Sequence, residues 1–243
     1  LNDDISISGD LTISNGVFND GGNVVVLNGD LLNNGTFSGS GEIDFNGTTN
    51  LSGTGNFTFG SVVINGILND GGKSISVKGD WTKSGTFTST GTTTFSGNAQ
   101  QNIGTSNFYS IAFSGNGTKV FSNNLTVSKN WQKNDNTALN PSGSLVTFNG
   151  ATAQSISASN FDAVTFSGAG LKSLTGDVSL LSNAIISSNS TLDGGSSTIT
   201  INGDWTNNGT FTPSTSTLQF SKNGSSNFSG TNNTTAYNLS VNT

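Results

Sequence analysis

The residues best able to do chemistry in this chain are few, and they recur. Gly-Asp followed by an apolar residue stands at Asp10, Asp30, Asp80, Asp177 and Asp204, with Trp81 and Trp205 directly after two of them and Trp131 at a related Lys-Asn-Trp. A ladder of carboxylates and indoles could bind a cation or stack on sugar rings, which makes Trp81, Trp131 and Trp205 candidate glycan-stacking residues. The plainer reading is a repeated bend: Asp and Gly favour bends, duplication repeats them, and a buried indole would need a hydrogen-bond partner that the neighbouring Asp bend could supply. Asp-Gly-Gly at Asp20, Asp70 and Asp193 resembles part of a calcium loop. Calcium needs several oxygens converging on one point, however, and neither the β-roll nonapeptide nor an EF-hand loop occurs. The expectation is therefore no cofactor, with calcium at these bends as the one alternative.

Catalytic patterns fare no better. Glu42 is the only Glu, two residues from Asp44 on one strand face, and the chain has no Arg. Polysaccharide cleavage on such a scaffold requires convergent carboxylates with a basic group beside them. His, Cys and Met are absent, so no imidazole is present to activate one of the many serines, and no disulfide can form. The expectation is not an enzyme, with a polysaccharide-degrading activity as a lesser alternative. Alternating Thr, as in Thr92-Thr93-Thr94 and Thr198-Ile199-Thr200, suggests an ice-binding face as another, although the Thr positions vary from repeat to repeat. A net charge of −6 argues against a nucleic-acid partner, which demands clustered cations. No apolar run approaches the ~20 residues of a membrane-spanning helix, so no membrane insertion is expected of this segment.

The elements that would carry these residues are short alternating runs such as Ile75-Ser76-Val77 and Thr198-Ile199-Thr200-Ile201, separated by bends rich in Gly, Asn and Asp. With 16 Phe and only 2 Pro, the polar composition reads as folded all-β and not as disorder. Self-comparison sets the architecture. The stretch NDGGNVVVLNGDLLNNGTFSGSGEIDFNG from Asn19 returns from Asn69 as NDGGKSISVKGDWTKSGTFTSTGTTTFSG and again from Asp193. A second pattern, SNFYSIAFSGNGTK from Ser106, reappears as SNFDAVTFSGAGLK from Ser159 and is echoed by AYNLSVNT, ending at Thr243. We read residues 1–243 as a single continuous parallel β-solenoid (β-helix) of about fourteen short coils, part of a longer repeat protein. Strand starts are expected near Leu11, Val24, Glu42, Ser61, Ser74, Thr92, Ser110, Leu125, Leu145, Ala163, Val178, Thr198, Thr217 and Asn238. Phe37, Phe87 and Phe211 are expected to stack inside, with Phe45, Phe95, Phe148 and Phe220 as a second column. The competing all-β arrangement, a sandwich, would show linkers between units of about 100 residues.

The segments GDWTNNGTFTPSTSTLQF from Gly203, NFYSIAFSG from Asn107 and TLDGGSSTITINGDW from Thr191 resemble the repeats of very large surface proteins of Bacteroidota. The likeness covers nearly the whole chain, departing at Leu31, which stands where later copies carry Trp81 and Trp205. It implies export, often by the type IX route, an extracellular or cell-surface location, and roles as stalk or adhesive surface in attachment, gliding or filament formation. The leading functional expectation is thus a structural, adhesive segment that associates end to end or with further repeats of its own chain. The alternative is a carbohydrate-binding module with surface polysaccharide as partner.

Overall fold

The computed structural model describes residues 1–121, 123–222 and 224–242. Among them the only regular elements are strands, thirty-six of two to five residues each, and every pairing between them is parallel. The chain is a β-solenoid. It forms two compact units, Leu1–Val120 with Asn136–Ala138, and Phe121–Asp135 with Leu139–Thr243.

In the first unit, Val25 pairs with Ile5 and Ile43, and Val62 with Ile43 and Trp81, so a coil takes about 20 residues. Each coil has three strands. The strands Ile5–Ile7, Val25–Leu27, Glu42–Phe45, Ser61–Ile64 and Trp81–Lys83 stack on one side. Leu11–Ile13, Leu31–Asn33, Thr48–Ser52, Ile67–Asn69 and Thr86–Thr88 stack on the second. Val17–Asn19, Thr36–Ser38, Asn56–Phe59, Ile75–Val77, Thr92–Phe95 and Ser110–Phe113 stack on the third. The second unit repeats the plan. Leu125–Val127, Leu145–Phe148, Ala163–Phe166, Ala184–Ile186 and Trp205–Asn207 form one of its faces, and Ser159–Phe161, Val178–Leu180, Thr198–Ile201, Thr217–Phe220 and Asn238–Val241 another.

Strands this short form because only two alternating apolar residues are needed to reach the axis of a narrow coil. Val25 and Leu27 are fully buried while Val26 between them is half-buried, and Ile75 and Val77 bracket Ser76 in the same way. A β-strand cannot pair its own backbone amides, and here the coils above and below satisfy them. That stacking leaves no room at many of the bends. A Cβ on Gly91 would sit 2.1 Å from the carbonyl oxygen of Lys73 in the preceding coil, and Gly71 holds φ +58° in the Asp-Gly-Gly bend.

Three strands per coil make about twelve coils, fewer than the fourteen expected. The expected strand starts are nearly all real, but Ser61 and the strand Ile75–Val77 belong to the same coil. The seven predicted interior Phe residues are all buried. They do not form two continuous files, because aliphatic residues alternate with them: Phe87 pairs with Leu68, and Phe211 with Leu192. Thr243, the last residue of the expected repeat region, lies outside the described residues.

Candidate functional site

The sequence singled out the Gly-Asp ladder, and the structure shows what each carboxylate does. Asp10 Oδ1 accepts the backbone N–H of Asp30 at 2.8 Å, Asp30 Oδ1 that of Asn50 at 2.8 Å, and Asp80 Oδ1 that of Asn102 at 2.7 Å. In the second unit Asp177 Oδ1 accepts from Thr198 N–H at 2.7 Å and Asp204 Oδ1 from Asn227 N–H at 3.0 Å. Asn130 of the Lys-Asn-Trp takes the same role toward Ser155 N–H at 3.0 Å. Each donor lies one coil further along. The ladder is a row of clamps between coils, with the charge of each carboxylate set against an amide that the bend would otherwise leave to water. At Asp204 the backbone N–H of Asn227, helped by its side-chain amide, holds the carboxyl below the usual carboxylate range.

The indoles that follow this ladder point inward. Trp81, Trp131 and Trp205 are 1%, 0% and 0% exposed. Trp81 lies against Phe87 at 4.9 Å and Phe108 at 5.6 Å between ring centroids, Trp131 against Phe161 at 5.0 Å and Phe148 at 5.9 Å, and Trp205 against Phe211 at 5.1 Å. Indoles buried to this degree leave no open face for a sugar, so the structure does not place these three residues as a glycan-stacking surface. Their polar edges are used internally as well. Trp131 Nε1 donates to Ser159 Oγ at 2.8 Å, and Trp205 Nε1 donates to Thr234 Oγ1 at 2.9 Å. The corresponding pair of the first unit is Trp81 and Ser106, and there both the indole N–H and the hydroxyl are buried without a protein partner.

The Asp-Gly-Gly bends work as the ladder does. Buried Asp70 accepts the N–H groups of Gly72 at 2.8 Å, Thr90 at 3.0 Å and Gly91 at 3.1 Å, together with the Ser89 hydroxyl. Asp20 accepts from Gly22 at 2.8 Å and Gly41 at 3.2 Å, and Asp193 from Gly195 at 2.9 Å and the Ser214 hydroxyl at 2.8 Å. These oxygens are divided between donors of their own bend and donors of the next coil. Among the described residues no three His, Cys, Asp or Glu side chains converge as metal ligands would. Asp44, the partner of Glu42 in the sequence, accepts both hydrogen bonds of its carboxylate from Asn65 Nδ2, at 3.0 and 3.1 Å.

Two lysines that sequence reasoning passed over are the least expected feature. Lys119 and Lys172 are 0% exposed. Lys172 Nζ donates to the carbonyls of Gly168 and Gly170 at 2.7 Å each and of Gly150 at 3.1 Å; Lys119 Nζ donates to Gly97 at 2.7 Å and Gly117 at 3.0 Å. One strand below each lies a buried glutamine, Gln101 paired with Lys119 and Gln154 with Lys172. Gln154 accepts from Gly150 N–H at 2.7 Å and donates to the carbonyls of Val127 and Lys129 at 2.9 and 2.8 Å. Burial pushes the Lys172 ammonium down to about 8 and lowers Lys119 too. The signal was present in the sequence: Gly-Asn-Gly-Thr-Lys and Gly-Ala-Gly-Leu-Lys each place Lys two residues before an apolar residue, on the inward parity of a strand.

Among the described residues no helix is long and apolar enough to cross a membrane. The chain matches no protein-family model, no curated protein and no solved structure.

Proposed function

We propose that this chain is a structural, adhesive segment of an exported repeat protein, acting by extension and contact at the cell surface and not by catalysis. The observation that carries this reading is the direction of its polar groups. Carboxylates, the indole N–H groups of Trp131 and Trp205, and the buried lysines and glutamines, which in a binding or catalytic site would converge on a ligand, are here hydrogen-bonded to their own bend or to an adjacent coil of the same stack. A segment so arranged holds its own repeats in register and leaves an outer surface of Thr, Ser and Asn. Its resemblance to the repeats of large Bacteroidota surface proteins supplies the location, extracellular and reached by the type IX route, and the process, attachment or gliding. Its partners in this reading are further repeats of its own kind, and contact with surface polysaccharide runs through the outer hydroxyls. No cofactor is assigned to it.

The test is made in the cell that produces the protein. Antibodies raised against this segment are expected to label intact cells, and in-frame removal of the segment to shorten the labelled projections and weaken attachment. Labelling only after lysis, or unchanged attachment, would overturn the proposal.

A further inference from the structure

Among the described residues five buried side-chain atoms have no protein hydrogen-bond partner, and three of them, Trp81 Nε1, Thr93 Oγ1 and Ser106 Oγ, fall on two successive coils of the first unit. The other two are the hydroxyls of Ser190 and Ser216, each at a bend of the second unit. Trp81, Thr93 and Ser106 are 1%, 0% and 1% exposed, so bulk solvent does not reach them. A hydroxyl can turn toward a neighbouring carbonyl, but an indole N–H is fixed in the plane of its ring and can only donate. A buried donor of that kind without an acceptor is rare in native interiors.

The backbone register around Trp81 is that around Trp131. Trp81 bridges Ile103, and Ser106 follows three residues later; Trp131 pairs with Ile156, and Ser159 follows three residues later. In the second unit this register yields a direct bond, Trp131 Nε1 to Ser159 Oγ at 2.8 Å. In the first unit it does not, although both groups are enclosed. The coil of Trp81 is also unusual along its inward file. Phe37, Phe57, Ile75, Thr93 and Ile111 lie opposite one another in successive strands, and Thr93 alone among them carries a hydroxyl. Its strand ends at Phe95, whose ring packs on Trp81 at 6.0 Å between centroids.

We propose that Trp81 and Ser106 hold an internal water molecule, which accepts from the indole N–H and is tied to the Ser106 hydroxyl, in place of the direct bond made at Trp131. The chemistry selects water. The occupant must accept a hydrogen bond from the indole and exchange one with a hydroxyl, and it must be small enough for an interior walled by Phe87, Phe95 and Phe108. It must also be uncharged, because the charged side chains flanking Trp81 are engaged elsewhere: Asp80 accepts the backbone and side-chain N–H groups of Asn102, and Lys83 Nζ donates to the Gly85 carbonyl at 3.2 Å. Buried waters make two to four hydrogen bonds to polar groups that the protein alone leaves unmet. Trp81 and Ser106 supply two, and Thr93 Oγ1 in the same coil is the candidate for a third. The site belongs to the interior and does not depend on where the protein acts.

A high-resolution crystal structure of the chain tests this directly. One ordered water within hydrogen-bond distance of both Trp81 Nε1 and Ser106 Oγ is expected; a direct bond between those two atoms, or no density between them, would overturn the site. Nuclear magnetic resonance of the chain isotopically labelled at its indole nitrogens gives a second reading in solution, with the signals assigned by the one that Trp81→Phe and Trp131→Phe each remove. Ser106→Ala is expected to leave the Trp81 N–H at its downfield, hydrogen-bonded position, because the water stays, whereas Ser159→Ala moves the Trp131 N–H upfield as its acceptor is lost. A Trp81 signal already upfield in the natural chain, or one that moves upfield in Ser106→Ala as that of Trp131 does in Ser159→Ala, would overturn the proposal.

Discussion

Lys172 couples folding to pH through a single buried charge. Its ammonium loses water and gains three glycine carbonyls, and burial brings its pKa from 10.5 down to about 8. Between those values the unfolded chain holds the proton that the folded chain has released, so stability must rise as the pH climbs from about 8 toward 10.5 and is lowest below 8. Lys119, lowered by the same burial, adds to the slope. The expected outcome is a urea midpoint that increases over this window in the natural chain and is flat in a Lys119→Met, Lys172→Met double variant; an equal rise in both would remove lysine burial as the cause. The indoles offer a second test at the same scale. Ser159→Ala leaves the buried Trp131 N–H without its acceptor and should cost about 1–3 kcal/mol, whereas Ser106→Ala, at a hydroxyl that receives no bond from Trp81, should cost less than about 1 kcal/mol. Comparable midpoints for the two variants would contradict this. These residues also mark how far the sequence could be read. That Asp10, Asp70 and Asp204 make bends was legible from composition and repetition, but whether an indole beside such a bend faces solvent or the axis depends on strand parity. A strand of three residues such as Trp81–Lys83 carries too little alternation to fix that parity.

The bends show the same logic one level up. Asp-Gly-Gly combines a carboxylate with two residues that tolerate positive φ, and the carboxylate then reaches across to the amides of the coil above. Its strength depends on how many donors that coil offers. Asp70 collects three N–H groups and a hydroxyl in a buried setting, while half-exposed Asp193 collects one N–H and one hydroxyl. Asp70→Ala is therefore expected to destabilise the chain by about 3 kcal/mol and Asp193→Ala by about 1 kcal/mol, as read from chemical-denaturation midpoints. An Asp193→Ala loss as large as that of Asp70→Ala would mean the motif acts through its backbone shape and not through its carboxylate. At this level the sequence was informative about strands and less so about coils. Thr92, Ser110, Leu145, Ala163 and Thr217 were all recognised as strand starts because each opens a four-residue run that closes on Phe. Two- and three-residue strands such as Gln101–Asn102 and Lys119–Val120 have no such run, and their buried Gln and Lys read as surface residues. Missing them hid the three strands of each coil and inflated the coil number.

A stack in which each coil touches only its neighbours has no common core, and its stability is a sum of local interfaces. Within the first unit, Ile75–Val77 has Asn56–Phe59 on one side and Thr92–Phe95 on the other, so its amides open only when two interfaces fail. Among the described residues, Ile5–Ile7 pairs with Val25–Leu27 on one side only, and in the second unit Asn238–Val241 pairs with Thr217–Phe220 on one side only. Hydrogen exchange followed by mass spectrometry should therefore show protection decreasing from Ile75–Val77 toward Ile5–Ile7, and from Thr198–Ile201 toward Asn238–Val241, by at least tenfold in rate. Destabilising an interior interface, as Asp70→Ala does, should lower protection of the strands beside residue 70 and leave Asn238–Val241 unchanged. A common exchange rate for inner and outer strands, shifting together in the variant, would mean that the chain unfolds as one cooperative body.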